Sequence, residues 1–331
     1  MGTILVTGGA GFLGAHITRY LLEGGYKVVV VDDLSGGFER NVDPRAEFIC
    51  ADICDHERMR QLFDEYSFEY VFHLAAYAAE GLSHFIKRFN YSNNLIGSVN
   101  LINESVKHNI KCYVFTSSIA VYGTNQTPMQ EDMIPQPEDS YGIAKYAIEM
   151  ELKITREMFG LPYIIFRPHN VYGEYQNTGD KYRNVIGIFM NQLMQGLPMT
   201  IFGDGEQTRA FSYVSDVTSI IARSISMPEA YNQIFNVGGD RVYSVNELAG
   251  AVAGAMGYDV KIKHLDSRHE VKHAFSDHSK VKEIFNINKY VSLEEGLKKM
   301  ADWAKSIGPC ESKPFKAIEL YQNLPPSWNV R

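Results

Sequence analysis

Thr7-Gly8-Gly9-Ala10-Gly11-Phe12-Leu13-Gly14 is the stretch whose reading decides the fold. Before it, Ile4-Leu5-Val6 is a short apolar run suited to a strand buried on both faces. After it, Phe12 to Glu23 carries apolar residues at helical spacing and stops at Gly24-Gly25. The glycines thus sit in a turn from strand to helix. In that context Gly8 permits the tight turn, Gly11 lets the backbone approach a pyrophosphate, and Gly14 lets the helix lie close on the sheet. The helix N-terminus would face the phosphate charge. Glycine also serves such turns for ordinary reasons, so the motif needs support from elsewhere in the chain.

That support comes from the next strand. Lys27 to Val31 (KVVVV) ends at Asp32-Asp33, roughly the 20 residues downstream that a ribose-binding acid requires. Asp32 would accept hydrogen bonds from the adenosine ribose, and paired carboxylates would repel a 2′-phosphate, so the expected cofactor is NAD rather than NADP. Glu47 to Ile49, Tyr70 to Leu74, Tyr113 to Thr116 and Tyr163 to Arg167 read as further short strands. Helical segments near His56 to Glu65, Asn90 to His108 and Tyr141 to Phe159 lie between them. This alternation predicts an α/β fold with a Rossmann-type, doubly wound parallel sheet. After Pro168 the rhythm gives way to loops rich in Gly, Asn and Asp, with one helical stretch at Val185 to Gln195. The expected division is a cofactor-binding domain over 1–170 and a smaller C-terminal substrate-binding domain over 171–331. Residues 210–230 are expected to pack back on the first domain.

Bulk properties restrict the ligand. Of the 331 residues, 45% are hydrophobic and 21% charged, which is globular composition and argues against disorder. A net charge of −7 gives no overall attraction to nucleic acid or anionic membranes, so small ligands are the expected partners. Cys50, Cys54, Cys112 and Cys310 form no C-x-x-C pair and no metal-ligand spacing. They are expected as free thiols in a reducing cytoplasm. Gly8 and Gly9 interrupt the first apolar run too early for a signal peptide or membrane span.

Tyr141-Gly142-Ile143-Ala144-Lys145 opens a helical segment, and positions four apart share a helix face. A phenol with pKa near 10 is a poor base at neutral pH. A neighbouring ammonium and a positive nicotinamide would bring it towards the working range. Phe115-Thr116-Ser117-Ser118 ends a strand with hydroxyls, where such sheets place their sites, and Ser118 can bond both a substrate hydroxyl and the tyrosine. Ser118, Tyr141 and Lys145 are candidate catalytic residues on this reading, although a Y-x-x-x-K alone is common in a chain with 20 tyrosines.

The G-x-x-G-x-x-G spacing of Gly8, Gly11 and Gly14 resembles extended short-chain dehydrogenases/reductases of the NAD-dependent epimerase/dehydratase family. Asp52-Ile53 matches that family's pair beside the adenine, His73-Leu74-Ala75-Ala76 its fourth-strand motif, and Asn94 an asparagine near the cofactor. The resemblance thus implies that Gly8, Gly11, Phe12, Leu13, Gly14, Asp32, Asp33, Asp52, Ile53, Leu74, Ala75, Ala76, Asn94, Tyr141, Lys145 and His169 contact NAD. Read alone, His73 is a packed core histidine. Arg167 to Gly173 (RPHNVYG) and Gly203 to Asp216 resemble the family's sugar-nucleotide blocks. There Asn170, Asn184 and Arg209 would hold substrate, Arg209 by pairing with a diphosphate. Arg268 and Glu270 resemble a later pair that holds phosphate and ribose, at a spacing one residue short.

The segment after Ser118 is Ile119-Ala120, where the family's 4,6-dehydratases carry Asp-Glu and its decarboxylases a glutamate at the second position. It is similar instead to the Ser-Ser-Ala-Thr-Val-Tyr-Gly of UDP-galactose 4-epimerases. The resemblance implies C4 inversion of a nucleotide hexose through a transient 4-keto sugar, with tightly bound NAD. It also leaves open a keto-sugar reductase, a non-catalytic NAD-binding protein, or epimerisation at another carbon. The last is the chemistry of the GDP-mannose 3,5-epimerases, which the chain also resembles, and it needs acid–base groups such as Tyr77, Glu80, Ser83 or His84 facing the sugar. The two long helices of the first domain resemble the pair through which family members dimerise, which makes a homodimer the expectation. The resemblance runs from Thr3 to about Phe285. The final stretch, with Pro325-Pro326-Ser327-Trp328, falls outside it and reads as a tail or a dimer contact.

Overall fold

Seven parallel strands form the central sheet of the computed structural model, which describes residues 2–124, 126–268 and 270–329. They are β1 (Thr3–Thr7), β2 (Lys27–Asp32), β3 (Glu47–Cys50), β4 (Phe68–His73), β5 (Cys112–Thr116), β6 (Tyr163–Pro168) and β7 (Gln233–Val237). Their order is β7-β6-β5-β4-β1-β2-β3. Successive side chains of a strand point to opposite faces, and both faces here are covered. Ile4 and Val6 enter one apolar layer with Ile17, Leu21, Phe72 and Phe166. Leu5 enters the other with Met59, Leu62, Leu101 and Ile148. That two-sided burial explains why KVVVV has no polar alternation.

The layers are supplied by α1 (Phe12–Glu23), α2 (His56–Glu65), α3 (Gly97–Lys107) and α4 (Ser140–Phe159). The helix expected over Asn90 to His108 begins earlier, at Lys87–Tyr91, and passes through a wide π turn at Ser92–Ile96 before α3. Asp139 caps α4, its Oδ1 accepting from Gly142 N at 2.9 Å, and Gly160 ends it at φ +81°.

The smaller lobe is built from α5 (Val185–Met194), α7 (Val245–Met256) and α8 (Leu293–Ile307) around Phe189, Met199, Leu248 and Leu297. Between α5 and α7, α6 (Val214–Arg223) returns to the first layer with Val217, Ile220 and Ile221. The division into 1–170 and 171–331 meets one difference here. β7 completes the large sheet beside β6, and the short helix Ser279–Phe285 packs beneath it through Val281 and Phe285. A five-residue parallel strand whose partner lies far back in the chain leaves no local pattern to announce it.

Residues 310–328 do not run as a loose tail. Trp328 is buried against Phe85, Tyr182 and Phe202 with ring centroids 6.4, 5.3 and 6.0 Å away. Glu319 accepts from Arg88 N and Phe89 N, which caps the helix at Lys87. The segment therefore ties the smaller lobe to the loop that follows β4. The last two residues lie outside the described part.

Candidate active site

A cleft of about 700 Å³ opens at the C-terminal ends of the strands, between the sheet and the smaller lobe. Its floor is the glycine turn. Gly8 has φ +72°, and a Cβ there would lie 2.6 Å from Ala75 N. A Cβ on Gly14 would lie 2.1 Å from Gly8 O, so only glycine lets α1 start this close to β1. The first turn of α1 carries no acidic residue, which leaves its N–H groups and positive end for an anion.

Asp32, at the end of β2, accepts from Ala10 N at 3.1 Å and Leu34 N at 2.8 Å, and its burial raises its pKa above the usual carboxylate range. It thus braces the glycine loop while keeping lone pairs towards the cleft. Asp33 accepts from Ser35 N and Oγ, and Asp52 from Cys54 N at 2.8 Å, a turn that presents Ile53 to the cleft. Phe12, Leu13, Leu74, Ala75 and Ala76 complete this wall. The cradle, the bare helix end and the acid form the donor and acceptor set a dinucleotide needs.

Two motif residues lie behind the wall. His73 is buried, with Nδ1 2.7 Å from Thr7 Oγ1 and Nε2 2.7 Å from Ser98 Oγ, and it fastens β4 to β1 and α3. Asn94, read as a cofactor contact, is buried beside the cleft rather than on it. Its amide holds both the N–H and the carbonyl of Tyr77 (2.9 and 3.2 Å) and reaches Asn90 Oδ1 at 2.8 Å. A side chain that uses both amide ends on a neighbouring backbone orders the loop and has little left for a ligand.

Ser118, Tyr141 and Lys145 come together at the centre. Burial drives the Tyr141 phenol well above its ordinary pKa, the nearby Glu80 adds to this, and the Ser118 hydrogen bond opposes it. Lys145 is 2% exposed, donates to Thr116 O at 2.8 Å and is pushed down to about 7 by burial, with Glu149 opposing. Its Nζ lies 5.8 Å from the Tyr141 ring centre. Tyr141, Lys145 and Glu149 occupy one face of α4, as their spacing of four requires.

Beneath them lies a network with no sequence signal beyond the residue types. Glu149 is fully buried, pairs bidentately with Arg167 and accepts from Ser117 Oγ. Arg167 also donates to Tyr122 OH at 2.6 Å, which donates in turn to Asn236 Oδ1 at 2.8 Å on β7. The network holds the backbone that carries Ser118.

Towards the smaller lobe the cleft is lined by His169, Asn170, Asn184, Arg209, Arg268 and Glu270. Burial and the adjacent His278 hold the His169 imidazole down at about 3, so its ring is neutral. Asn170 (φ +41°) donates to Ala210 O at 3.1 Å, and Asn184 (φ +63°) begins α5 without using its side chain as a cap. Arg209 spends donors on the carbonyls of Thr208, Val271 and Lys272. Arg268 pairs with Glu270 at 2.9 Å, with its guanidinium 4.5 Å from the Phe202 ring centre and 5.6 Å from that of Trp328. Arg183, which carries no motif, also lines the cleft, pairs with Asp180 at 2.7 Å and stacks over Tyr77 at 4.7 Å.

A glycine-cradled dinucleotide site joined to a Ser-Tyr-Lys centre defines an extended short-chain dehydrogenase/reductase. The family model described as NAD-dependent epimerase/dehydratase matches residues 4–238. A putative UDP-glucose 4-epimerase of Methanocaldococcus jannaschii is 35% identical, covering 92% of this chain and 98% of its own. The structure of a UDP-glucose 4-epimerase from Thermotoga maritima, solved with UDP-glucose, has a TM-score of 0.87 and 38% identity over 92% of this chain and 99% of its own. A UDP-glucuronic acid 4-epimerase from Bacillus cereus, solved with UDP-glucuronic acid and NAD, has a TM-score of 0.82 and 27% identity, covering 92% and 99%. The chain belongs to the NAD-dependent epimerase/dehydratase family, is similar to UDP-glucose 4-epimerases within it, and has NAD as its cofactor.

Proposed function

We propose that this enzyme inverts C4 of a nucleoside diphosphate hexose of the UDP-glucose/UDP-galactose type. The observation that carries this is the centre itself, where Ser118, Tyr141 and Lys145 meet while Ile119 and Ala120 beside them offer nothing to move a proton at C5 or C6. Tyr141 takes the proton of the sugar 4-hydroxyl, and Ser118 hydrogen-bonds the same oxygen. Lys145 stabilises the phenolate across the shared helix face. NAD, held by the glycine turn of Gly8, Gly11 and Gly14 and by Asp32, would supply the hydride acceptor and donor for C4. Between these steps the keto sugar turns over while Arg183, Arg209, Arg268 and the asparagines hold the diphosphate end. Tight binding away from the reacting carbon is what allows the sugar to be loose there.

The cofactor walls and the smaller lobe act as two domains in this reading, with β7 and α6 belonging to the first. We infer a homodimer. Ile143, Met150, Ile154 and Met158 lie along one face of α4 and are 43 to 69% exposed, and Ile96 on the adjoining helix is 52% exposed. Such a stripe on paired helices suits a four-helix contact between copies. The cysteines are all free, which fits a reducing cytoplasm.

The test is incubation of purified protein with UDP- and GDP-hexoses, without added cofactor, read by NMR. A C4-inverted product that disappears in Tyr141→Phe is the expected result. Absence of inversion across the panel, with NAD added, overturns the proposal for those sugars. Sedimentation of Met158→Glu as a monomer, against a wild-type dimer, checks the interface.

A further inference from the structure

Two histidines meet nitrogen to nitrogen behind the wall of the cleft. His169 lies just beyond the end of β6 and lines the cleft. Ser117 N donates to Phe166 O at 2.7 Å, so this strand end runs beside the one that carries Ser118. His278 precedes the short helix Ser279–Phe285 and is 1% exposed. The two Nε2 atoms are 2.9 Å apart, the ring centres 5.0 Å apart and the ring planes 23° from parallel. The nitrogens therefore face each other edge to edge. Gly238, after β7, admits this approach, since a Cβ there would lie 2.5 Å from His169 Nε2. On its far side His278 Nδ1 lies 2.9 Å from Asp240 Oδ1, and Lys282 donates to the other oxygen of that carboxylate. Asp240 is half-exposed, so the row runs from the cleft to the surface.

The acceptors along this row fix its protons. A carbonyl oxygen only accepts, so His169 Nδ1, 3.1 Å from Ala210 O, carries a hydrogen. A neutral His169 therefore turns a lone pair towards His278. The Asp240 carboxyl is held down at about 2 by its hydrogen bond with His278, with Lys282 adding, so it too only accepts. His278 Nδ1 then carries a hydrogen as well. Were both rings neutral, two lone pairs would face each other at 2.9 Å. Donation from Ser276 Oγ, 3.1 Å from His278 Nε2, would not relieve them. The pair is satisfied by one further proton between the two Nε2 atoms. Burial, with His278 next, holds His169 low, which leaves that proton on the His278 side. The charged and titratable groups around it are His169, Asp240 and Lys282, with the Tyr290 ring 5.5 Å from Lys282 Nζ. Asp277 is turned to Ser279 N and Oγ.

We propose that His278 is a positioning residue whose proton, shared with His169, sets a fixed positive charge behind the cleft wall and biases bound NAD towards its reduced form. The inference rests on the Ser118–Tyr141–Lys145 centre of the reading above as the place of hydride transfer, and it holds whichever sugar carbon is inverted. Both nitrogens of His169 are spent on protein, one on Ala210 O and one on His278, so the ring offers a ligand no hydrogen bond. Its contribution is electrostatic. A hydride acceptor must reach the carbon whose hydroxyl Tyr141 and Ser118 would hold, which brings it to the wall formed by the ends of β5 and β6. A nicotinamide ring carries one positive charge when oxidised and none when reduced, because the hydride brings two electrons. A cation behind that wall therefore raises the energy of the oxidised form alone. Of the three charges in the row, Asp240 and Lys282 reach solvent, whereas the shared proton is enclosed and little screened. The row as a whole carries one positive charge, and it favours removal of hydride from the sugar.

Two measurements on the holoenzyme test this. The first is nitrogen-15 NMR of the imidazole nitrogens near neutral pH. Three of the four nitrogens of His169 and His278 should carry hydrogen, and a count of two overturns the shared proton. The second is the ratio of NADH to NAD+ held by the protein after equilibration with an equimolar mixture until that ratio is constant, read by chromatography of the extracted cofactor. In His278→Gln the bound ratio should fall roughly three- to tenfold, the scale of one enclosed charge acting across a ring's width of protein. His278→Lys, which restores a cation, should return most of it. An unchanged ratio in His278→Gln, or an equal fall in both variants, overturns the proposal. Neither measurement uses a sugar, so the C4 reading is decided separately by the sugar panel. Inversion with an unchanged ratio overturns the charge bias alone. A shifted ratio without inversion supports the bias and overturns C4 inversion for those sugars.

Discussion

At the chemical end of the cleft, Ser118, Tyr141, Lys145 and Glu149 come from one strand end and one helix, and the charges among them are buried. At the recognition end, Arg183, Phe202, Arg209, Arg268 and Trp328 come from segments far apart in the chain. Their guanidinium groups lie on rings, carbonyls and part-exposed carboxylates. The first is rigid because a buried ion pair has no alternative partner. Under the proposed function the second would be adjustable, because each cation there has a partner that it would exchange for a phosphate. Chemistry needs fixed atoms to within fractions of an ångström, whereas recognition needs donors that a ligand can recruit.

The difference can be tested by damaging each end in turn. The largest effect expected is at the centre, where Tyr141→Phe should lower kcat about a thousandfold, the scale of a lost acid–base group, with the thermal melt unchanged. Glu149→Gln leaves Arg167 buried without its counter-charge and should cost about 3–5 kcal/mol in urea unfolding. The corresponding change at the recognition end, Glu270→Gln, should cost less than about 1 kcal/mol, because that pair is partly solvated. Equal costs would abolish the distinction. Arg268→Met should raise KM for the sugar nucleotide by roughly 10- to 100-fold, the worth of a charged hydrogen bond or two, and change kcat much less. A collapse of kcat instead would move Arg268 into the chemistry.

A further difference is expected in pH. Lys145 sits at about 7 when folded against 10.5 in the unfolded chain. Between those values the unfolded state holds a proton that the folded state has released, so stability rises with pH across the window. Relative to Lys145→Met, the wild type should gain about 1 kcal/mol per pH unit between pH 8 and 9 in urea unfolding. A parallel response of the two proteins would mean that Lys145 keeps its proton in the fold.

What could be read in the sequence follows the same division. The glycine turn, the acid after β2 and the Tyr-x-x-x-Lys spacing are local, so their geometry is implied by the strand or helix that carries them. β1 to β6 were legible because two-sided burial leaves runs such as KVVVV. β7 was not, since QIFNV in a loop-rich region looks like any apolar turn until its partner β6 is known. Asn94 shows the limit of motif transfer: the residue is where the pattern puts it, but its amide is used on Tyr77. Arg183 and Trp328 were invisible because stacking partners drawn from distant segments leave no spacing rule.

The placement of β7 also has a bearing on how the chain is made. While the protein leaves the ribosome, the edge of β6 stays uncovered from the appearance of Pro168 until Val237 follows it. At 5–20 residues per second these 69 residues take about 3 to 14 seconds. During that time a hydrophobic strand edge, Tyr163-Ile164-Ile165-Phe166, is open to any other extended chain. The large sheet thus presents an unpaired edge midway through synthesis, while the smaller lobe is being made and its last strand has yet to follow.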